Sequence, residues 1–558
     1  MKRSTGLALL GILLLAIVLR LLPLLRQAYW GSDFGEYYRL TRDLVEGGVV
    51  PTPYGGWGIT YPYFPGFFVF NGAFVLAGVP VDAALIVLGP LAGALAVLPL
   101  FLVATRTTGD DLAGLAASAF LAVVMLHVYA TSHPLPATLG DLLLLGAFLM
   151  YLGIRRSPKV LVLLIPTALA IIMTHHLATY ALILAAVGSL LLRAILDSKI
   201  ALRHVRFELA FLVVLVAMTI AYWLTYANLL WQLIVLNSPL STGLLVAGAA
   251  LGIAIIPAVI LARRRVSWRF RPRTRSVRAA TVGVGIAILA GFAIMIVSIL
   301  ASVPGTSIRL TPLHLVVFAP TVAFLCFGGA GRRSMDFSRE GADVTGWFVA
   351  LVLSVFAGGA IAATVLIPYR HLEYVVMPLA VMVGAGVRWL CLRADSAARR
   401  LAAVGIVGIL VASSATVSVP PPAVMAGFDE GTDAGSATAV LWVRDNARGL
   451  VGGDHRLSSV LFGFARVDAT SDRETRFWHE ENQTAAVDFM RLVVVGDRTL
   501  RVDWIVIDRN SRAGLQTSPF EPPLPLLPAE EAKFFTAPFH KVYDSGFAQV
   551  YFVNWGLV

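Results

Sequence analysis

The stretch Gly31-Ser32-Asp33-Phe34-Gly35-Glu36-Tyr37-Tyr38 sets two carboxylates three residues apart among aromatics, directly after the first long apolar run. A carboxylate beside a phosphate-bearing lipid can hold a divalent cation or take the proton of an attacking hydroxyl. Asp33 is the candidate for either role, with Glu36 supporting it. A plainer use is also open: Asp33 could cap a helix by accepting from the Glu36 amide. Tyr29, Trp30, Tyr37 and Tyr38 also suit an interfacial aromatic belt.

Asp141 is the second acidic candidate. It lies at the edge of, or inside, an apolar helix; an ionised carboxylate at the centre of a membrane costs about 2.5–3.5 kcal/mol or more and so needs a partner. A metal shared with Asp33 is one such partner, and a hydrogen bond to a neighbouring helix is another. His133, before Pro134, suits a cap, an interface histidine or a substrate contact. His175 and His176 could meet a sugar, a phosphate or a metal. Adjacent helical side chains point about 100° apart, so both do not easily ligate one ion. Tyr369-Arg370-His371, with Glu373, opens a late helix, and an arginine there can grip phosphate with its fixed fork of donors or snorkel toward headgroups. Arg309 is a weaker second cation of this kind.

These groups must be positioned by membrane helices. Of 558 residues, 58% are hydrophobic and 14% charged, and the mean hydropathy is +0.79. Apolar runs of about 20 residues recur along the chain, as in a polytopic helical membrane protein. The net charge of +11 falls in short loops between those runs, which orients the protein in a bilayer and argues against nucleic acid. Cys326 and Cys391 define no disulfide framework and no metal cluster. Met1-Lys2-Arg3 before an apolar run resembles a signal sequence, but no small-residue cleavage site follows before Pro23, so a retained first helix is expected.

Crossings are expected near 6–25, 82–104, 112–130, 137–154, two within 160–194 broken at His175-His176, then near 207–224, 242–262, 279–300, 313–330, 344–366, 372–390 and 401–418. The apolar piece 64–79 is expected to be buried or re-entrant rather than spanning. If it spanned, the segment Arg263 to Arg278, with eight arginines and no acid, would lie outside, against the positive-inside bias. About thirteen crossings result, with a cytoplasmic N-terminus and an extracytoplasmic C-terminus at the plasma membrane.

Composition changes at Pro420-Pro421-Pro422. Residues 1–419 form the expected transmembrane domain, and 420–558 a soluble extracytoplasmic α/β domain. In it, 433–447 suits a helix, Val502 to Asp508 a buried strand, and His540 to Tyr543 with Phe547 to Val553 a hairpin. No internal repeat at a solenoid period is present.

With those residues in place, the membrane part resembles the GT-C glycosyltransferases, and within them the oligosaccharyltransferase catalytic subunits of archaeal and bacterial type. Gly31-Ser32-Asp33 looks like that family's first acidic motif. Pro90 to Leu145, with Arg106, Gly114-Leu115-Ala116-Ala117 and Gly140-Asp141, looks like its stretch up to the second acidic motif. Tyr369-Arg370-His371 before a helix containing Pro378 looks like the segment whose arginine meets the lipid phosphate. The family's sequon-reading Trp-Trp-Asp motif is missing; Gly452-Gly453-Asp454-His455-Arg456-Leu457-Ser458-Ser459 stands where it would be expected. The long outer loop with a further acidic motif is reduced to Ser302 to Pro312.

The resemblance implies transfer of a sugar or oligosaccharide from a polyprenyl phosphate or diphosphate to an acceptor on the outer face, with Mg²⁺ or Mn²⁺. It does not carry asparagine over as the acceptor. On it, Asp33 and Asp141 would be metal ligands, Asp33 and Glu36 catalytic, and Arg370, His371, Tyr369, Tyr37, His133 and His175 substrate-binding. Membrane lipids and the lipid-linked donor are the expected partners. The other classes are a lipid-glycan transporter or flippase, and a GT-C relative that binds glycolipid without turnover.

Overall fold

The computed structural model describes residues 2–558 apart from 53, 197–199, 238–241, 266–292, 294–295, 298, 304–306, 336–339, 362–369, 395, 423, 426, 472–473, 496–497 and 519–520. Among the described residues, nine helices are long and apolar enough to cross a membrane, and the bent pair Asp111–Val123 and Met125–Thr131 makes a tenth. This is a multi-pass membrane protein. Two further expected crossings are the helices Leu161–Thr174 and Thr242–Arg265, whose apolar stretches are shorter. The expected crossing at 279–300 lies largely outside the described residues.

The first helices set the frame: α1 is Arg3–Leu21, α2 Phe34–Gly47, α3 Gly66–Leu76, α4 Val81–Leu95 and α5 Val97–Thr108. Next come α6 Asp111–Val123, α7 Met125–Thr131, α8 Pro136–Gly153, α9 Leu161–Thr174, α10 His176–Leu196 and α11 Leu202–Thr225. The break expected at His175-His176 is present: His175 is extended, with φ −158°, and separates α9 from α10.

Polar contacts at one face fix the parity of the crossings. Thr5 at the start of α1 donates to Asp111 at the start of α6, 3.3 Å away. The start of α1 and the end of α5 therefore share a face, so one crossing, α4–α5, returns the chain after α1. The 11 residues of α3 span only about 16 Å at 1.5 Å per residue, half a hydrocarbon core. It is too short to span, as the charge pattern predicts, and buries Phe67, Phe68, Asn71 and Gly72. Around the same face, Arg193 holds Glu208 and Asp343, each at 3.0 Å. Arg155 reaches both carboxylates, and Arg106 meets Glu340 at 3.0 Å. Charges buried this way persist because each has a partner.

At the opposite face sits the C-terminal part. Its five-stranded sheet has the order β4-β3-β7-β9-β8, with β3 Leu450–Gly452, β4 Asp468–Ala469, β7 Val502–Asp508, β8 Phe539–Asp544 and β9 Ala548–Val553. β3 runs parallel to β4 and β7, whereas β9 is antiparallel to β7 and β8. The helix Ala434–Asn446 covers one side through Ala439, Val440 and Val443 against Val451, Val506 and Val550. Phe477, Trp478, Ile505, Ile507 and Tyr551 fill the other. The expected helix, strand and hairpin are all present.

A two-stranded ribbon joins this part to the membrane helices. Tyr29–Trp30 pairs antiparallel with Gly431–Thr432, and the Gly31 amide donates to the Glu430 carbonyl at 2.9 Å. Gly31 has φ +116°, a conformation that favours glycine. It turns the chain from the ribbon into α2.

Candidate functional site

Asp33 is the residue preceding α2, and its side chain makes no cap bond. The Glu36 amide instead donates to Ser459 Oγ at 3.3 Å, so the capping use of Asp33 is not the one adopted. The Asp33 carboxylate accepts from the Tyr61 hydroxyl at 2.8 Å and lies 3.4 Å from His455 Nε2. Burial pushes its pKa up, but the His455 and Tyr61 contacts, with Arg370 behind them, outweigh that and hold it below the usual carboxylate value. The group is therefore an anion at neutral pH, kept available by partners that leave its side chain 15% exposed.

Glu36 points elsewhere. Its carboxylate accepts from Tyr54 Oη at 2.6 Å and from the Trp57 amide at 3.2 Å. Burial pushes it up to about 7, against the pull of those two donors. Glu36 thus ties the segment Tyr54 to Tyr61 over the site, which sets where Tyr61 meets Asp33. Tyr37 stands in the same wall, its ring 5.2 Å from that of Tyr61.

Arg370 precedes the helix His371–Arg393 and is exposed. It lies within electrostatic reach of Asp33, Tyr37, His175, His176 and Glu373. His175 Nδ1 is 3.1 Å from the Tyr374 hydroxyl, and His371 is buried with its ring 5.8 Å from that of Tyr180. Tyr369 lies outside the described residues. Arg309 is exposed. His133 stacks on Trp30, with ring centres 5.3 Å apart, and Trp30 Nε1 donates to Ser132 Oγ at 3.0 Å. It supports the ribbon under the site.

Asp141, the second acidic candidate, lies on another helix. It is fully buried on α8, 3.6 Å from His127 Nε2. His127 Nδ1 accepts from Arg20 Nη2 at 2.7 Å, and Arg20 Nε donates to Thr131 at 2.8 Å. Its other electrostatic neighbour is Glu373. Asp33 instead interacts with His455, Tyr61 and Arg370. The two carboxylates thus serve separate partners, and among the described residues no three His, Cys, Asp or Glu side chains converge as a metal set. Asp33 Oδ1 and both Asp141 oxygens lack a hydrogen-bond partner among the described residues, and no chemical step is drawn through a divalent ion. Asp141 is a buried carboxyl beside His127 and Glu373.

Sequence reasoning did not single out His455, Tyr61 or the Arg20–His127 pair. His455 had a readable signal. Gly452-Gly453-Asp454-His455 follows β3, and polar groups at the carboxyl ends of parallel strands, where neighbouring connections diverge, are where α/β sheets place their sites. Here β3 has β4 on one side and β7 on the other.

No protein-family model and no curated protein matches the sequence. Solved structures do match. The Archaeoglobus fulgidus oligosaccharyltransferase, tethered to an acceptor peptide containing the NVT sequon, superposes with a TM-score of 0.58 at 14% identity, over 92% of this chain and 70% of that one. Its apo form gives 0.57 at 13% identity, over 92% and 70%. AglB from Archaeoglobus fulgidus, with an inhibitory peptide and a dolichol-phosphate, gives 0.55 at 13% identity, over 91% and 70%. The chain is therefore a multi-pass membrane protein with the fold of these oligosaccharyltransferases, in both its helical and its C-terminal parts.

Proposed function

We propose that the protein is a GT-C membrane glycosyltransferase. It moves a sugar or oligosaccharide from a polyprenyl phosphate or diphosphate to an acceptor on the outer face. The arginine-rich loops support an orientation with the N-terminus in the cytoplasm and the C-terminal part outside. The observation that carries the reading is an anionic Asp33, held by Tyr61 and His455 at the joint between the helices and the C-terminal part, with the Arg370 guanidinium within its electrostatic reach. A neighbour of the same fold has a dolichol-phosphate in its structure, which supports a lipid-phosphate donor.

In this reading Asp33 takes the proton of the acceptor as the acceptor atom bonds to the anomeric carbon. The bond from that carbon to the phosphate oxygen breaks, and charge grows on the departing phosphate. Arg370 meets that charge with fixed donors, an interaction stronger in the transition state than before it. The test is transfer from lipid-linked sugars by membranes bearing Asp33→Asn or Arg370→Ala. Both should fold and lose transfer, and normal transfer by Asp33→Asn removes the assignment.

A transporter reading draws on Arg20, His127 and Asp141, ionisable groups among the helices. It predicts movement of lipid-linked glycan without its consumption, so release of free polyprenyl phosphate separates the two.

A further inference from the structure

We propose that His455, carried by the C-terminal part, is a positioning residue of the membrane site: it fixes the Asp33 carboxylate in its working orientation, so the site is incomplete without that part. The inference rests on the glycosyltransferase reading and adds to it a residue from the C-terminal part.

The first support is contact. His455 Nε2 is 3.4 Å from Asp33 Oδ1, and the imidazole is 2% exposed. Tyr61 holds the other oxygen, Oδ2, at 2.8 Å. One carboxylate is thus held from both sides, by a tyrosine of the first loop and a histidine of the last part of the chain. The Trp57 ring stands edge-on to the imidazole, with ring centres 4.8 Å apart.

The second support is how firmly the backbone of His455 is built. On one side Asp454 caps the helix His455–Val460, accepting from the Leu457 amide at 2.8 Å. On the other, Arg456 is 1% exposed and pairs with Asp508 at 2.7 Å. Ser511 Oγ bridges the two acids, 3.0 Å from Asp454 and 2.8 Å from Asp508. The His455 amide itself donates to the Gln516 carbonyl at 2.7 Å. A charged network this buried is costly unless every member is satisfied. The neighbours of His455 are anchored into β7 and the loop beyond it, and His455 alone of the three points at the membrane helices.

The third support is the close docking of the two parts. A Cβ on Gly35 would overlap the Ser459 carbonyl, and one on Gly463 would overlap the Gly35 carbonyl. The backbone after His455 therefore lies directly on α2, the helix that Asp33 begins. Because both residues are tied to touching backbones, their separation is set by the fold.

The experiment uses full-length protein in membranes. The donor is the polyprenyl-phosphate-linked sugar pool extracted from the producing cells after metabolic ¹⁴C labelling, and released polyprenyl phosphate is counted. His455→Ala should lower kcat by about 100-fold with the donor KM within about twofold of the wild type. His455→Gln, whose amide can still donate to Asp33, should recover activity to within about fivefold of the wild type. A His455→Ala activity within about threefold of the wild type overturns the proposal. So does a folded His455→Gln as inactive as a folded His455→Ala. If His455→Ala does not fold, His455→Gln decides alone: activity within about fivefold of the wild type sustains the proposal, and loss beyond that overturns it. Asp33→Asn is measured alongside. If it is inactive while His455→Ala is active, only this inference fails; if Asp33→Asn is itself active, the glycosyltransferase reading fails.

Discussion

Tyr61 Oη donates to Asp33 Oδ2 at 2.8 Å, a bond made from within the first loop. Tyr61→Phe removes it while keeping the ring against Tyr37. A hydrogen bond to a charged group is worth about 1.5–3 kcal/mol, so transfer should fall roughly 10- to 150-fold. Asp33 should also become harder to keep ionised, because a donor to its anionic form is lost. The acid limb of the pH profile should therefore move to higher pH in Tyr61→Phe, and an unmoved limb would separate Tyr61 from the working carboxylate.

Glu36 gives a stability prediction of opposite sign to an ordinary surface acid. Burial raises it from 4.5 to about 7, so the fold favours its protonated form. The contribution is fully present below about pH 4.5 and is lost as pH rises through about 7. Over that window it amounts to up to about 3 kcal/mol. Glu36→Gln keeps an acceptor for Tyr54 and has no charge to bury. Its melting temperature in detergent should exceed that of the wild type at pH 8 and approach it near pH 5. A constant difference between the two pH values would contradict this.

Asp141 tests whether the second carboxylate is a partner for buried bases. Asp141→Ala removes the carboxyl beside His127 and Glu373, a loss of about 1–3 kcal/mol for a buried polar group left unpaired. Asp141→Asn, which keeps the shape and an acceptor for His127 Nε2–H, should be milder. Thermal melting in detergent should order the three as wild type, Asn, Ala. Any activation of transfer by added Mn²⁺ should have the same concentration dependence in Asp141→Asn as in the wild type, and a shifted dependence would return Asp141 to the role of a ligand.

Gly35→Ala tests the docking of the two parts. The added methyl meets the Ser459 carbonyl, which is backbone and cannot rotate away. Brief proteolysis should cut near 420–430 faster in Gly35→Ala than in the wild type, with transfer reduced. Equal cutting rates would mean that the two parts are not locked together at this point.

Much of this was readable from residue types. Asp33 stands out as an acid at the end of an apolar run, and Arg370 as a cation at the head of one. The break at His175-His176 follows from a run too long for one crossing. The helix Ala434–Asn446 and strand β7 follow from local periodicity. What was not readable depends on distant segments meeting. Asp141 announced that it needed a partner, but nothing local says that the partner is His127, or that Arg20 stands behind it. Glu36 looks like an aid to Asp33 in sequence, three residues on, yet one helical turn aims it at Tyr54 and Trp57. His455 lies in the only part of the chain without spanning runs, and its meeting with Asp33 is set by the glycine-lined docking of α2.

The most direct test is the rate at which Asp33→Asn, in native membranes, releases polyprenyl phosphate from lipid-linked sugar. The substitution keeps the size of the side chain and removes its charge. The account expects a folded protein that melts like the wild type and shows no release above the background of membranes lacking it. Release at the wild-type rate would contradict it.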